Sequence, residues 1–148
     1  MKTLVTYYSK TGNTKEVAKQ IAKELNADID EIVDKTNRDG FINYIKSGFH
    51  ALRKKLTKIT TKKDPSNYHL VIIGTPIWAG REAPAVRTYM KENNLKKVAF
   101  FCTAGGKQSL AFKNMEELSQ KPLAKLEIKA KQIPKSTEII KKFCAYLK

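Results

Sequence analysis

Apolar and polar positions along the chain switch repeatedly between two periods. Residues 2–8, KTLVTYY, have the β-branched and aromatic content of a strand, and just beyond them Val17, Ile21 and Leu25 recur at helical spacing. ADIDEIVD (27–34) sets Ile29 and Ile32 or Val33 among acids, as a short strand with one wet side would. HLVIIGT (69–75) is a continuous apolar run, the pattern of a strand covered on both faces of a parallel sheet. Residues 83–93 read as a helix, KKVAFFCT (96–103) as a strand and roughly 109–120 as a helix. LAKLEIKAKQI (123–133) alternates, which suits an edge strand. Ile139, Ile140, Phe143 and Leu147 then mark a last helical face, with Pro134 and Ser136 where that helix should begin.

Regular alternation of strand and helix predicts an α/β fold, a doubly wound parallel sheet of five strands with helices on both faces, in a single domain over 1–148. Ligands of such sheets bind beyond the carboxyl ends of the strands, where the strand order reverses. Three chemically suggestive segments fall there: SKTGNT after the first strand, GTPIWAG at the end of the third, and TAGGKQS after the fourth. Between the second and third strands, 35–68 is long for a crossover, and part of it is expected near the ligand mouth. Within it, 41–59 places Ile42, Ile45, Phe49, Leu52, Leu56 and Ile59 on one helical face and most basic residues elsewhere, with Gly48 interrupting. Such a helix is either the second helix of the fold with solvated lysines, or a docking surface for an acidic protein or an anionic membrane.

Charge sharpens that second possibility. The sequence has 29 Lys and Arg against 14 Asp and Glu, a formal +15 that favours acidic partners without bearing on the fold. The excess is uneven: residues 1–34 are nearly balanced, 41–63 contain no acid, and 121–148 set many lysines against only Glu127 and Glu138. Nucleic acid is not expected as a partner, because no aromatics interleave with the basic runs and no nucleic-acid motif is present. The chain has no apolar run of membrane-spanning length and no signal-like N-terminus, so a cytoplasmic protein is expected, with peripheral membrane contact left open. Cys102 and Cys144 match no metal or redox spacing and read as reduced structural thiols; no metal site is expected. His50 and His69 read as structural or surface residues.

In the first loop Ser9, Thr11 and Thr14 offer hydroxyls, Gly12 permits a tight turn, and Asn13 or Thr14 could cap the following helix. An anion here would meet hydroxyls, free backbone N–H groups and the positive end of the helix dipole. The loop is neither a G-x-x-x-x-G-K-[ST] triphosphate loop nor a G-x-G-x-x-G dinucleotide turn, which leaves a monophosphate. In the second loop, Trp78 stands at the end of a buried strand and can stack on a flat heterocycle or pack in the core. The paired glycines of the third loop allow backbone amides close to a ligand edge.

Taken together, S-K-T-G-N-T, GTPIWAG and CTAGG, in this order on this pattern of elements, resemble the phosphate loop and the two ring-flanking loops of the flavodoxin family, over essentially the whole chain. The resemblance implies a short-chain flavodoxin-like sheet of strand order 2-1-3-4-5 and non-covalently bound FMN. It implies that Ser9, Lys10, Thr11, Gly12, Asn13 and Thr14 hold the phosphate. Thr75, Pro76, Ile77, Trp78, Ala79 and Gly80 would flank one side of the isoalloxazine, and Thr103, Ala104, Gly105 and Gly106 the other. No side chain is needed as a catalytic group, since the flavin performs the chemistry.

Two departures matter. Flavodoxins usually place a Tyr in the third loop, whereas TAGGKQS has no aromatic before Phe112, which leaves one flavin face open. They are also typically acidic, and a basic protein, through Lys10, Arg81 and Lys107, should favour rather than oppose an anionic reduced flavin. The resemblance therefore implies an electron carrier with an acidic redox partner protein. The alternative is a small FMN-dependent oxidoreductase, similar to the flavodoxin-fold quinone reductases or protoporphyrinogen oxidases, acting on a small-molecule electron donor or acceptor.

Overall fold

The computed structural model describes residues 2–35, 57–104 and 110–148. Strands β1 (Thr3–Tyr7), β2 (Asp28–Glu31), β5 (Leu70–Trp78), β7 (Val98–Ala104) and β8 (Lys125–Lys129) form one parallel sheet in the order β2-β1-β5-β7-β8. Counting only these five, the order is the expected 2-1-3-4-5, so the chain reverses direction of growth between β1 and β5. Helices α1 (Asn13–Leu25), α2 (Pro84–Glu92), α3 (Ala111–Leu118) and α4 (Thr137–Leu147) cover the sheet.

Strand neighbours point to opposite faces, so each central strand supplies two cores. Val5, Ile72 and Phe101 pack with Val17, Ile21, Ile140 and Phe143 of α1 and α4, whereas Leu4, Ile73 and Phe100 pack with Val86, Met90 and Met115 of α2 and α3. Each of these side chains is essentially withdrawn from water, worth about 1.5–3 kcal/mol for a full-sized aliphatic. The unbroken apolar runs of β5 and β7 follow from this two-sided burial. Gly74 belongs to the same logic: a Cβ there would fall within the ring of Phe101. Neighbouring strands can pack this aromatic only because β5 has no side chain at that point.

Several expected boundaries move, each for a local reason. The segment 27–34 divides into β2 and a short β3 (Val33–Asp34), which leaves the sheet to pair antiparallel with β4 (Ile59–Thr60). Its expected wet side is also not wet throughout. Asp30 is buried because its carboxylate accepts the backbone N–H groups of Lys62 and Lys63 at 3.0 and 2.8 Å, while Val33 is half exposed. Ile59, placed by spacing at the end of a basic helix, is in β4; residues 41–56 of that expected helix, with His50, lie outside the described residues. The alternation over 123–133 yields a strand only to Lys129, followed by a 3-10 turn over Ala130–Lys135. Ile139 lies off the buried face of α4, 46% exposed, because Ile140, Phe143, Cys144 and Leu147 define that face. His69 is exposed, with its N–H donated to the Lys2 carbonyl. No described helix is long and apolar enough to cross a membrane.

Candidate functional site

β1, β5 and β7 end at the same edge of the sheet, where the segments after β1 and β5 come up beside the end of β7. In the first, the Ser9 hydroxyl accepts the Gly12 N–H at 3.1 Å and closes the turn. Gly12, with φ of 100°, is itself the residue from which α1 starts, so the helix opens without a side-chain cap and neither Asn13 nor Thr14 performs the capping role expected of it. The reason is steric: the chain must pass through left-handed backbone before turning into the helix, and glycine does this freely. The first turn of α1 therefore has N–H groups with no helical partner, next to the exposed residues Lys10, Thr11 and Asn13. That donor set suits a doubly charged anion.

Thr14 faces inward. It is 1% exposed, and its hydroxyl is 2.8 Å from that of Thr103, the penultimate residue of β7. Thr103 and Ala104 are both buried. The first and third expected loops are thereby joined through side chains. Gly105, Gly106 and Lys107 lie outside the described residues.

Only part of the second segment is a loop. β5 continues through Thr75, Pro76, Ile77 and Trp78 and returns as β6 (Arg81–Glu82), with Ile77 opposite Glu82 and Trp78 opposite Arg81. The continuous strand arises because pairing to β7 reaches Pro76 and pairing to β6 takes over at Ile77 and Trp78. Ala79 and Gly80 make the turn with φ of 50° and 74°. Two consecutive positive φ values are the signature of a type I′ hairpin turn, and placing an alanine there costs on the order of 1–2 kcal/mol. Such strain is found where surrounding structure over-determines the backbone. Thr75 is fully buried, its hydroxyl donating to the Pro76 carbonyl at 2.8 Å and accepting the Ala83 N–H at 2.9 Å, so it closes the hairpin at its base. The Gly80 carbonyl accepts the Leu110 N–H at 2.7 Å, which ties the tip to the start of α3.

Trp78 meets the ring of Tyr8 edge to face, with centroids 5.5 Å apart, and the Lys10 ammonium lies 6.0 Å from the centre of its indole. Arg81 is directly across the ladder from Trp78. Attraction of a cation to the ring face contributes on the order of 0.5–1 kcal/mol. Lys10, expected at the phosphate, thus also leans toward the ring-flanking segment.

The other face of the hairpin is anchored by residues that the sequence reading did not single out. Glu82 is fully buried, and its Oε1 accepts from Arg87 Nη2 at 2.8 Å and Asn114 Nδ2 at 3.1 Å. A glutamate five residues before an arginine is ordinary in sequence, and Asn114 is distant, so nothing local marks these polar groups as enclosed. Tyr8 was likewise missed, because it reads as one more strand residue.

Burial pushes the Cys102 thiol up to about 12, with the negative charge of Glu127 adding to the effect. Although Cys102 immediately precedes Thr103, it is a neutral packing group at the site's floor. Among the described residues no cluster of potential metal ligands occurs.

A family model for flavodoxins matches residues 2–139. Among solved structures, a Lactobacillus acidophilus flavoprotein in complex with FMN is 26% identical, with a TM-score of 0.72, over 90% of this chain and 97% of that one. A Bacteroides uniformis protein assigned as a flavoprotein has a TM-score of 0.81 at 21% identity, over 97% of each chain. Flavodoxin 2 of Bacillus cereus, in its oxidised form, has a TM-score of 0.62 at 20% identity, over 99% of this chain and 97% of that one. The last two share the fold. No curated protein matches the chain.

Proposed function

This chain belongs to the flavodoxin family, and we propose that it binds FMN at this edge of the sheet and carries electrons through that flavin. The observation that carries the reading is what gathers at one edge of the sheet: hydroxyls at 9–14 with the first N–H groups of α1, which have no helical partner, the Trp78 hairpin, and the end of β7, bonded to α1 through Thr14 and Thr103. The FMN complex of the Lactobacillus acidophilus protein, similar over nearly its full length, supports the cofactor.

Ser9, Thr11 and the backbone at Gly12 and Asn13 would hold the phosphate, with Thr14 fixing the floor beneath it. Pro76, Ile77, Trp78, Ala79 and Gly80 would border one side of the ring, and Thr103 and Ala104, continuing into Gly105 and Gly106, the other. Thr75 would act through the hairpin it closes. When bound, FMN supplies the redox chemistry, and the protein positions it and sets its electronics. Lys10, over the Trp78 ring, and Arg81, opposite Trp78 in the ladder, would favour an electron-rich flavin ring there by electrostatic attraction.

The partner that suits this protein is an acidic redox protein. β8 lies next to β7, with Lys129 paired to Ala104, so the lysines at the end of β8 are neighbours of the flavin mouth. Beyond them, Lys131 and Lys135 rim a groove of ≈ 440 Å³ that also exposes Ile139. Positive charge beside an apolar anchor complements an acidic surface with an apolar contact.

Anaerobic stepwise reduction of FMN-loaded protein, followed by absorbance, tests the reading. Two separate one-electron steps are expected. A single two-electron step overturns the carrier role, and failure to bind FMN overturns the cofactor.

A further inference from the structure

The polar cluster under the hairpin is placed where it can govern the ligand site without touching a ligand. Side chains at cross-strand partners share a face, and consecutive residues alternate faces. Trp78 and Arg81 therefore occupy one side of the hairpin, and Ile77 and Glu82 the other. Glu82 joins Arg87 on α2 and Asn114 on α3 at 2.8 and 3.1 Å, and all three are at least 95% buried. Leu110, at the start of the same α3, holds the Gly80 carbonyl. The β6 arm and the tip of the hairpin are thus referenced to the same helix pair.

The cluster is an unfavourable way to fill space. Both hydrogen bonds reach Oε1, and Glu82 Oε2 has no hydrogen-bond partner among the described residues. A buried carboxylate with one bare oxygen is less favourable than an apolar pair of similar volume, and such pairs can replace buried ion pairs without loss of stability. What an apolar pair lacks is direction. The ion pair and the amide fix the register and tilt of a two-residue arm, Arg81–Glu82, that is too short to hold itself.

We propose that Glu82, with Arg87 and Asn114, is a positioning unit that sets the Trp78 side of the hairpin against the ring of the bound flavin. It rests on the FMN reading above and adds a determinant of ring affinity remote from the ring. Since the unit acts on the ring and not on the phosphate, FMN and riboflavin should respond equally to its loss. Trp78 is the only tryptophan of the chain, so its fluorescence anisotropy reports the hairpin directly, with or without flavin.

The test is the double variant Glu82→Met/Arg87→Met, which removes both charges together. The expected result is dissociation constants for FMN and riboflavin raised by the same factor of roughly ten or more, and lower Trp78 anisotropy in the flavin-free chain. Unchanged flavin affinity and anisotropy overturn the proposal, as does a loss confined to FMN. Should the double variant not fold, Asn114→Ala removes one donor and is expected to shift both affinities and the anisotropy in the same directions; no shift overturns the proposal. If the native protein binds no flavin, the cofactor reading fails, and the anisotropy alone decides whether the unit orders the hairpin.

Discussion

The hydroxyls of Thr14 and Thr103 lie 2.8 Å apart, inside the protein, and bond the first turn of α1 to the end of β7. The two loops expected to grip opposite parts of one ligand are therefore a single unit.

That bond separates two threonines that look alike in sequence. Thr11→Ala removes an exposed hydroxyl and should weaken FMN much more than riboflavin, because only the phosphate contact is lost. Thr14→Val instead leaves the Thr103 hydroxyl buried and unpaired, costing about 1–3 kcal/mol of stability, and should weaken both ligands. Equilibrium dialysis with each ligand and urea unfolding would measure the difference; equal loss of both ligands in the Thr11→Ala variant removes Thr11 from the phosphate site.

Gly74→Ala should destabilise the protein by at least the ~1–3 kcal/mol typical of overpacking, since the added methyl collides with Phe101. Combining it with Phe101→Leu should recover much of that loss. Thermal unfolding of the single and double variants checks this, and strictly additive effects would contradict the clash.

Alkaline pH should unfold the protein earlier than its lysine content alone suggests. Burial raises Cys102 to about 12 and Cys144 to about 11 from an ordinary 9.0, with Glu127 adding at the first and Glu24 at the second. Burial and the hydrogen bond to Asp28 raise Tyr68 to about 12 from 10.0, and burial raises Tyr89 further. A group raised in the folded state contributes stability that is whole below its unfolded value and lost as pH climbs to the folded one. Stability should thus fall from pH 9 upward and keep falling to about 12. Urea midpoints at pH 7, 9 and 11 would show the trend, and neither thiol should react with iodoacetamide at neutral pH until the chain is unfolded.

Reversing charge at Lys131 and Lys135 to Glu should slow electron delivery to an acidic redox protein by about tenfold at low ionic strength, an effect that shrinks as salt screens it. Stopped-flow rates across a salt series measure this. The same reversal at Lys96 and Lys97, at the opposite end of β7, is the control and should change little; equal slowing by both pairs would locate docking elsewhere.

How much of this was legible in the sequence depends on the range of the forces involved. Burial on two faces writes a continuous apolar run, so β5 and β7 could be read directly, and a strand followed by Val17, Ile21 and Leu25 could only be a β-turn-α unit. The turn at Gly12 was legible as a tight turn but not as the start of the helix, because capping is settled by the backbone angles of one residue. The Trp78 segment read as a loop since its glycine and proline are loop residues; it is a hairpin because β7 and β6 supply hydrogen-bond partners from outside the segment. Asp30 was expected in water and is buried because two N–H groups arrive from more than thirty residues away.

The sequence by itself determined the alternation of strands and helices, the family resemblance, the positions of the three loops and the basic surplus, all of them properties of composition and local period. Tertiary structure alone decided which hydroxyl turns outward and which is bonded to Thr103, which face of the hairpin is anchored by Glu82, and which isoleucine of α4 remains in solvent. Those outcomes depend on contacts between residues far apart in the chain, and a one-residue change in strand register would by itself carry Glu82 to the other face of the hairpin.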